Sequence, residues 1–269
     1  MNLLNIACGA RYHKDWTNID FHADSNLVRK VNILDGLPFK EGCFDAVYSS
    51  HFLEHLSLAQ SKFVLREAQR VLKRRGVLRI VVPDLENVCK EYLKILDGVS
   101  DDVTLNTKYR WIIVELLDQF VRVDKGGEMG RIFSQVRESG DTHLADYISH
   151  RVGDQLIASD FEQSKSKRKI TIDKVKNRVL YFYLRLVAKL VPKAIRGLVF
   201  SGSSIGEKHQ WAYDRYSLPL LLGELGFNNI KIKSFKDSDI ENFNDFFLDV
   251  RRDGTQYKGV SSIYIEARK

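Results

Sequence analysis

The apolar positions of residues 3–85 fall into short continuous runs separated by turn residues, with one longer stretch at helical spacing. Residues 3–7 (LLNIA) run apolar and stop at Cys8-Gly9-Ala10, which predicts a buried strand ending in a tight turn. Residues 16–21 (WTNIDF) predict a second strand ending on Asp20, residues 31–34 a third followed by D-G-L-P-F, and residues 44–49 (FDAVYS) a fourth. Ser57 opens S-L-A-Q, a capping box with Gln60. The helix it starts carries Val64, Leu65, Ala68, Val71 and Leu72 on one face, with Gly76 placed to end it. Residues 77–82 (VLRIVV) predict a fifth strand, halted by Pro83.

The C-terminal part resumes the same alternation. A helix is expected from Ser217-Leu218-Pro219 to Gly226, then strands over 229–235 and 262–267. Strands and helices at these spacings indicate an α/β unit with a parallel sheet. Between the two ends the periodicity is mainly helical. The expected organisation is therefore one α/β domain from 1–85 and 207–269, with a helical insertion over 86–206 facing an acceptor, a membrane or a partner.

Ligands of open parallel sheets lie against the carboxyl ends of the strands. Here those ends carry Ala7-Cys8-Gly9, Asp20, Asp35 and Ser49-Ser50-His51. Small residues in the first turn let backbone approach a ligand, and an acid ending the second strand can accept two ribose hydroxyls. An acid after the third can accept from an adenine amino group. No phosphate-binding lysine of P-loop type occurs, and the first turn is too short for the dinucleotide glycine pattern. These features fit an adenosine-containing ligand without a polyphosphate.

The order LLNIACG, NIDF, ILDGLPFKEGCFDAVYSSHFLEHL and REAQRVLKRRGVLRIVVPDLE resembles the class I S-adenosylmethionine-dependent methyltransferases. It looks most like a bacterial subgroup found among surface-polysaccharide biosynthesis enzymes. The likeness covers 3–86 and resumes at EKHQWAYDRYSLPLLLGELGF and SSIYIEARK. It implies a Rossmann-like, doubly wound, mostly parallel sheet and S-adenosyl-L-methionine as cofactor. It further implies that Ala7 and Gly9 flank the methionine portion and that Asp20, followed by Phe21, holds the ribose. Asp35 with Leu34 would hold the adenine, and Ser49 would line the sulfonium side. Two departures stand out: Asn5, Ala7, Gly9 and Arg11 occupy the places of the usual acid and glycines, and no helix precedes the first strand.

Methyl transfer needs an acceptor held in line and often a base for its proton, a task suited to histidine. The candidates are His51, His55 and His209, with Glu54 orienting them, and Trp211, Tyr213, Asp214 and Arg215 on the acceptor side. The competing reading is structural: Glu54 and His55 tie loop backbone together, while Trp211, Tyr213 and Tyr216 pack. His51, Glu54 and His55 also spell H-x-x-E-H, the ligand order of one class of zinc peptidase. That motif works on one helix, whereas here a strand runs up to Ser49 and the good helix start is Ser57; no metal is expected.

The expected reaction, by resemblance, is methylation of a hydroxyl on a sugar of a surface glycan or its lipid-linked precursor. The alternatives are a non-catalytic cofactor-binding partner of the same pathway, and a methyltransferase for a lipid or quinone. Three scattered cysteines argue against a disulfide framework, and neither a signal peptide nor a membrane span is visible, so a cytoplasmic protein is expected. The net charge of +7 is uneven, because residues 165–196 concentrate Lys and Arg. Residues 173–190 place Val175, Val179, Tyr183, Leu186, Val187 and Leu190 on an apolar stripe flanked by basic residues. Such a helix either lies in an anionic membrane face or packs internally. Nucleic acid is disfavoured, since no exposed aromatic stacking pattern accompanies the charge. If the membrane reading holds, the protein floats with anionic liposomes and a variant lacking 165–200 does not.

Overall fold

The computed structural model describes residues 1–23, 25–100, 102, 105–153 and 208–269, with isolated positions 182, 183, 187, 190 and 191. The basic amphipathic segment expected over 173–190 otherwise lies outside the described residues. Seven strands form one sheet: β1 (Leu3–Ile6), β2 (Thr17–Asp20), β3 (Val28–Lys30), β4 (Phe44–Ser50), β5 (Leu72–Pro83), β6 (Asn228–Lys233) and β7 (Ser262–Arg268). Their spatial order is β3-β2-β1-β4-β5-β7-β6, and only β7 runs antiparallel to its neighbours. The chain steps outward from β1 to β3, then returns to β4 and steps out the other way. This is the doubly wound, Rossmann-like topology, whose ligand crevice opens where the order reverses, between β1 and β4.

Two expectations needed correction. The third strand is Val28–Lys30, not 31–34; Asn32 instead caps a 3₁₀ turn over Ile33–Asp35, accepting from the Leu34 N–H and donating to Asp35 Oδ2. Ile33 is fully buried in that turn, so the apolar run serves the core without pairing as a strand. The capping box at Ser57 and Gln60 is present, opening α1 (Leu58–Val71), but Gly76 does not end that helix. Leu72 turns extended and pairs with Phe44, and Arg75 adopts a left-handed φ of 65°. A Cβ at Gly76 would lie 2.9 Å from both the Leu72 side chain and the Lys73 carbonyl, so glycine is needed for this bend inside β5.

One sheet face is covered by helices. Val64, Leu65 and Ala68 of α1 and Leu218 and Leu222 of α6 (Ser217–Glu224) bury Leu4, Ile6, Val47, Ile80 and Ile265. The other face receives the segment 234–250, whose Ile240, Phe243 and Leu248 pack on Trp16, Tyr48, Val81 and Tyr264. Arg79, fully buried in β5, pins this cover. Its Nε donates to Asp249 Oδ2 at 2.7 Å and its Nη1 to Glu266 Oε1 at 2.8 Å. The same guanidinium donates to the carbonyls of Asp237 and Ser234, and Tyr48 Oη donates to the other Asp249 oxygen at 2.5 Å.

Among the described residues, β5 is followed by the helices α2 (Leu85–Val99), α3 (Asn106–Val121), α4 (Gly127–Ser139) and α5 (Thr142–Val152). They leave from the carboxyl edge of the sheet and so stand over it. Arg151 of α5 binds both Glu115 oxygens on α3 and Asn87 on α2, and Trp111 Nε1 donates to the same Glu115. The unit is fastened to the loop before β7 where Gly153 crosses Gly259; a Cβ on either would collide with the opposite backbone. Among the described residues, no helix is long and apolar enough to cross a bilayer.

Removing one partner of a buried charged network leaves the others uncompensated. Arg79→Met is expected to lower unfolding free energy by ~3–5 kcal/mol, and Tyr48→Phe, which removes one neutral donor, by ~1–2 kcal/mol. Urea denaturation followed by tryptophan fluorescence measures both; equal small losses would show that Arg79 is not the pin.

Candidate active site

Two cavities open at the carboxyl edge. The smaller turn of β1 lines one of about 370 Å³, with Asn5, Ala7, Cys8, Gly9, Ser50 and Tyr257 among its walls. The other, about 250 Å³, lies under α3 between Glu54, Leu116, Phe120, His209 and Trp211. Arg11, His51, Tyr257 and Lys258 line both, so the cavities meet at these four residues.

The first cavity is built by the turn after β1. Ala7 and Gly9 both adopt left-handed φ, 54° and 53°, and nothing lies within 4 Å of where a Gly9 Cβ would stand. Asn5 explains the missing acid: its Nδ2 donates to the Arg11 carbonyl at 2.9 Å and to Asn18 Oδ1, closing the turn as a carboxylate could not. Asp20 accepts the Gly9 N–H on Oδ2 and the His22 N–H on Oδ1, each at 2.9 Å, tying the turn to the end of β2. Each carboxylate oxygen retains a further lone pair for a hydroxyl. Cys8 is buried, and that burial, with the Asp20 charge, pushes its thiol up to about 12, so it is not a nucleophile here.

Other residues implied by the resemblance are placed less directly. Phe21 and Leu34 are half-buried against the main core. Asp35 is exposed in a neighbouring groove with Lys30, Asn32 and Leu37. Ser49 is buried beside the cavity, and it is Ser50 that lines it, because strand alternation turns successive side chains to opposite faces. The Oγ atoms of Ser49 and Ser50 and Oδ1 of Asn5 are buried without a protein partner. Orphaned acceptors beside an open, left-handed turn fit a polar ligand laid across the β1–β4 crevice.

The second cavity contains the histidine cluster. The stretch 51–56 is not a helix: His51 has a left-handed φ of 51°, and Leu53–His55 makes a single 3₁₀ turn. His51 is held by its N–H on the Val81 carbonyl and by its Nε2, 3.0 Å from Ser262 Oγ. His55 Nδ1 sits 3.0 Å from the Lys208 carbonyl. The Glu54 carbonyl accepts the N–H groups of Gln210 and Trp211, which brings the 208–213 segment against the turn and His209 to 5.0 Å from the His55 ring. The Glu54 side chain is 2 % exposed, its carboxyl 3.5 Å from His51 Nδ1 and 3.9 Å from His55 Nε2, and among the described residues neither oxygen accepts from another residue.

Of the residues expected on the acceptor side, Trp211 lines this cavity with an exposed indole. Tyr213, Asp214 and Arg215 do not: Tyr213 is buried with its Oη on Ser61, Asp214 caps α6 through the N–H groups of Tyr216 and Ser217, and Arg215 pairs with Glu86. Each of these three already spends its polar atoms on a neighbouring element. His51, Glu54 and His209 line the cavity, and His55 does not. Arg11, Tyr257, Lys258 and Ser262 were missed; Tyr257 and Lys258 lie in a loop with no periodicity or motif that marks it in sequence, and Ser262 opens β7.

Burial governs the electrostatics. It pushes Glu54 from 4.5 up to about 8, against the pull of its own backbone N–H and of Lys258. Burial also lowers His51 well below its usual value and His55 in the same direction, and holds His209 at about 3. The cluster thus rests uncharged at neutral pH. A carboxyl whose folded pKa is raised contributes stability that is complete below pH 4.5 and lost as pH rises to about 8. In EDTA, the wild-type protein is therefore expected to lose stability relative to Glu54→Gln across that window. The imidazoles act oppositely below pH ~6.5, and their contribution cancels in the difference. Denaturant midpoints at each pH check this; a flat difference would mean an ordinary carboxylate.

Residues 8–80 match a family model described as a methyltransferase domain. An uncharacterized protein of Methanocaldococcus jannaschii is 33% identical over 102 residues, which cover 33% of this chain and 44% of that relative. The chain thus spans less than half the length of the curated relative it matches. Among solved structures, a Thermotoga maritima SAM-dependent methyltransferase described as a possible histamine N-methyltransferase aligns over 100% of this chain and 82% of its own, at 12% identity and a TM-score of 0.39. A SAM-dependent methyltransferase from Archaeoglobus fulgidus aligns over 100% and 86%, at 14% identity and a TM-score of 0.38. Residues 8–80 therefore carry the sequence of a methyltransferase domain, and the cofactor which that domain implies is S-adenosylmethionine.

Proposed function

We propose that the chain is an S-adenosylmethionine-dependent methyltransferase that binds its cofactor over the 7–9 turn and its acceptor in the cavity under α3. The observation that carries this is the meeting of the two cavities at Arg11, His51, Tyr257 and Lys258. Asp20 takes the ribose hydroxyls, Asp35 and Leu34 the adenine, and the end of β4 at Ser49–Ser50, with the Ser50 hydroxyl in the cavity, lies at the methionine end. The bound cofactor supplies an electrophilic methyl group on a sulfonium. The protein's own work is to align an acceptor with it, exclude water and take up a proton.

The acceptor reading is a hydroxyl on a glycan sugar or its lipid-linked precursor. It is supported by a cavity that sets polar His51, Glu54, His209 and Lys258 against apolar Leu85, Leu116 and Phe120, with the Trp211 indole as a face for sugar C–H groups. His51 stands at the junction of the two cavities and is uncharged at neutral pH, the state in which an imidazole accepts a proton. The basic run 165–196 supports an anionic membrane surface as the place of action.

Calorimetric titration with S-adenosylhomocysteine should show binding that Asp20→Ala weakens by at least ~10-fold, since two charge-assisted bonds are lost. Absence of binding to the unaltered protein would sink the assignment. With a cell-envelope extract as acceptor, His51→Ala should retain that affinity and lose ~10²-fold or more in transfer of labelled methyl. Binding with no transfer by the unaltered protein would instead point to a scaffold.

A further inference from the structure

The buried Glu54 carboxyl is surrounded by imidazoles whose proton positions follow from their other hydrogen bonds. His55 Nδ1 faces a carbonyl, which only accepts, so the proton is on Nδ1 and Nε2 presents a lone pair toward Glu54. Ser262 Oγ donates its hydrogen to the Lys258 carbonyl and must accept from His51, so His51 carries its proton on Nε2 and also turns a lone pair, on Nδ1, toward Glu54. These tautomers are assigned from the network. His209 closes the group from the opposite segment, its ring edge-on to His55 at 5.0 Å and to Phe120 at 5.6 Å. Lone pairs and carboxylate oxygens thus converge on one volume, and among the described residues no other residue donates to the Glu54 oxygens. Imidazole lone pairs turned toward an ionisable carboxyl suit a cation, which on binding would displace the carboxyl proton.

We propose that Glu54, His55 and His209 form a binding site for a divalent transition metal of the zinc class. One ligand atom from each can be chosen so that all lie within 4.8 Å of one another. Tetrahedral ligands at ~2.0–2.2 Å from zinc stand ~3.4 Å apart, so modest side-chain rotation brings the three into place. Two imidazoles and a carboxylate suit Zn²⁺ rather than Mg²⁺, which prefers oxygen and water. The orienting contact that zinc-bound histidines require is present, because His55 Nδ1–H is held on the Lys208 carbonyl. Glu54 and His209 both line the cavity under α3, so three protein ligands leave the remaining position open toward it.

This reverses the expectation drawn from the H-x-x-E-H spacing. That motif supplies Glu54 and His55, but His51 is turned to Ser262 by its left-handed backbone, and His209 takes its place as a ligand. The site itself stands on the donor set alone. Its role rests on the methyl-transfer reading: a metal there would bind an acceptor hydroxyl as a Lewis acid and lower the pKa of that hydroxyl, beside His51.

The test uses the full, tag-free chain, stripped with chelator and dialysed. Calorimetric titration with ZnSO₄ should show one saturable equivalent, and Co²⁺ should give the visible absorption of a low-coordinate nitrogen–oxygen site. Glu54→Gln and His209→Gln should each weaken binding at least ~10-fold, the scale of losing even a supporting partner. His51→Ala should leave the stoichiometry unchanged. Circular dichroism confirms folding of each variant. Absence of saturable Zn²⁺ binding to the wild-type protein, or binding that neither variant at 54 nor 209 alters, would overturn the proposal and leave Glu54 as a protonated carboxylic acid. S-adenosylhomocysteine titrated in parallel separates the two readings: zinc without cofactor binding removes only the role, and cofactor without zinc binding removes only the metal.

Discussion

A guanidinium buried in the centre of a sheet has to be answered by charge and by geometry, and the arrangement around Arg79 does both. Asp249 and Glu266 supply the charge, and the carbonyls of Ser234 and Asp237 take two further N–H groups. Because Asp249, Ser234 and Asp237 come from the chain between β6 and β7, satisfying Arg79 determines how that chain lies over the sheet face opposite α1 and α6. The consequence reaches the site directly. The Asp249 carbonyl accepts the Tyr257 N–H at 2.7 Å, which sets the loop carrying Tyr257 and Lys258 into the junction of the two cavities.

The site is assembled from segments far apart in the chain, each held by backbone contacts that leave its side chains available. The Glu54 carbonyl is fully used by Gln210 and Trp211, while the Glu54 carboxyl is left without a partner. The Gly153–Gly259 crossing fastens the helices to the β7 loop at a distance only glycine permits. Stability is thus invested in main-chain crossings around a polar centre that remains unsatisfied within the protein. Unsatisfied buried acceptors are costly, and their concentration at Asn5, Ser49, Ser50 and Glu54 marks the crevice as built for something other than itself.

Much of the sheet could be read from the chain. Buried parallel strands announce themselves as continuous apolar runs, as at residues 3–7, 44–49 and 77–82, and the Ser57–Gln60 capping box specified the start of α1. An apolar run at 31–34 became a 3₁₀ turn because Asn32 caps it locally, and Gly76 proved to serve a bend rather than a helix end, since Leu72 is drawn into the core beside Phe44. At 31–34 a local cap outweighed the apolar run, and at Gly76 a tertiary contact outweighed the helix-end signal.

The order of residues determined the fold class, the crevice between β1 and β4 and the candidates Ala7, Gly9, Asp20, His51, Glu54 and Trp211, because strand ends and small-residue turns are local properties. Whether an acid binds substrate, caps a helix or waits in a buried cluster is not local. Asp214 and Arg215 were consumed by α6 and α2, while Glu54 was left facing imidazoles from two segments. Only the tertiary structure decided this, since the energy of a buried polar atom depends on which partners packing brings within hydrogen-bond reach.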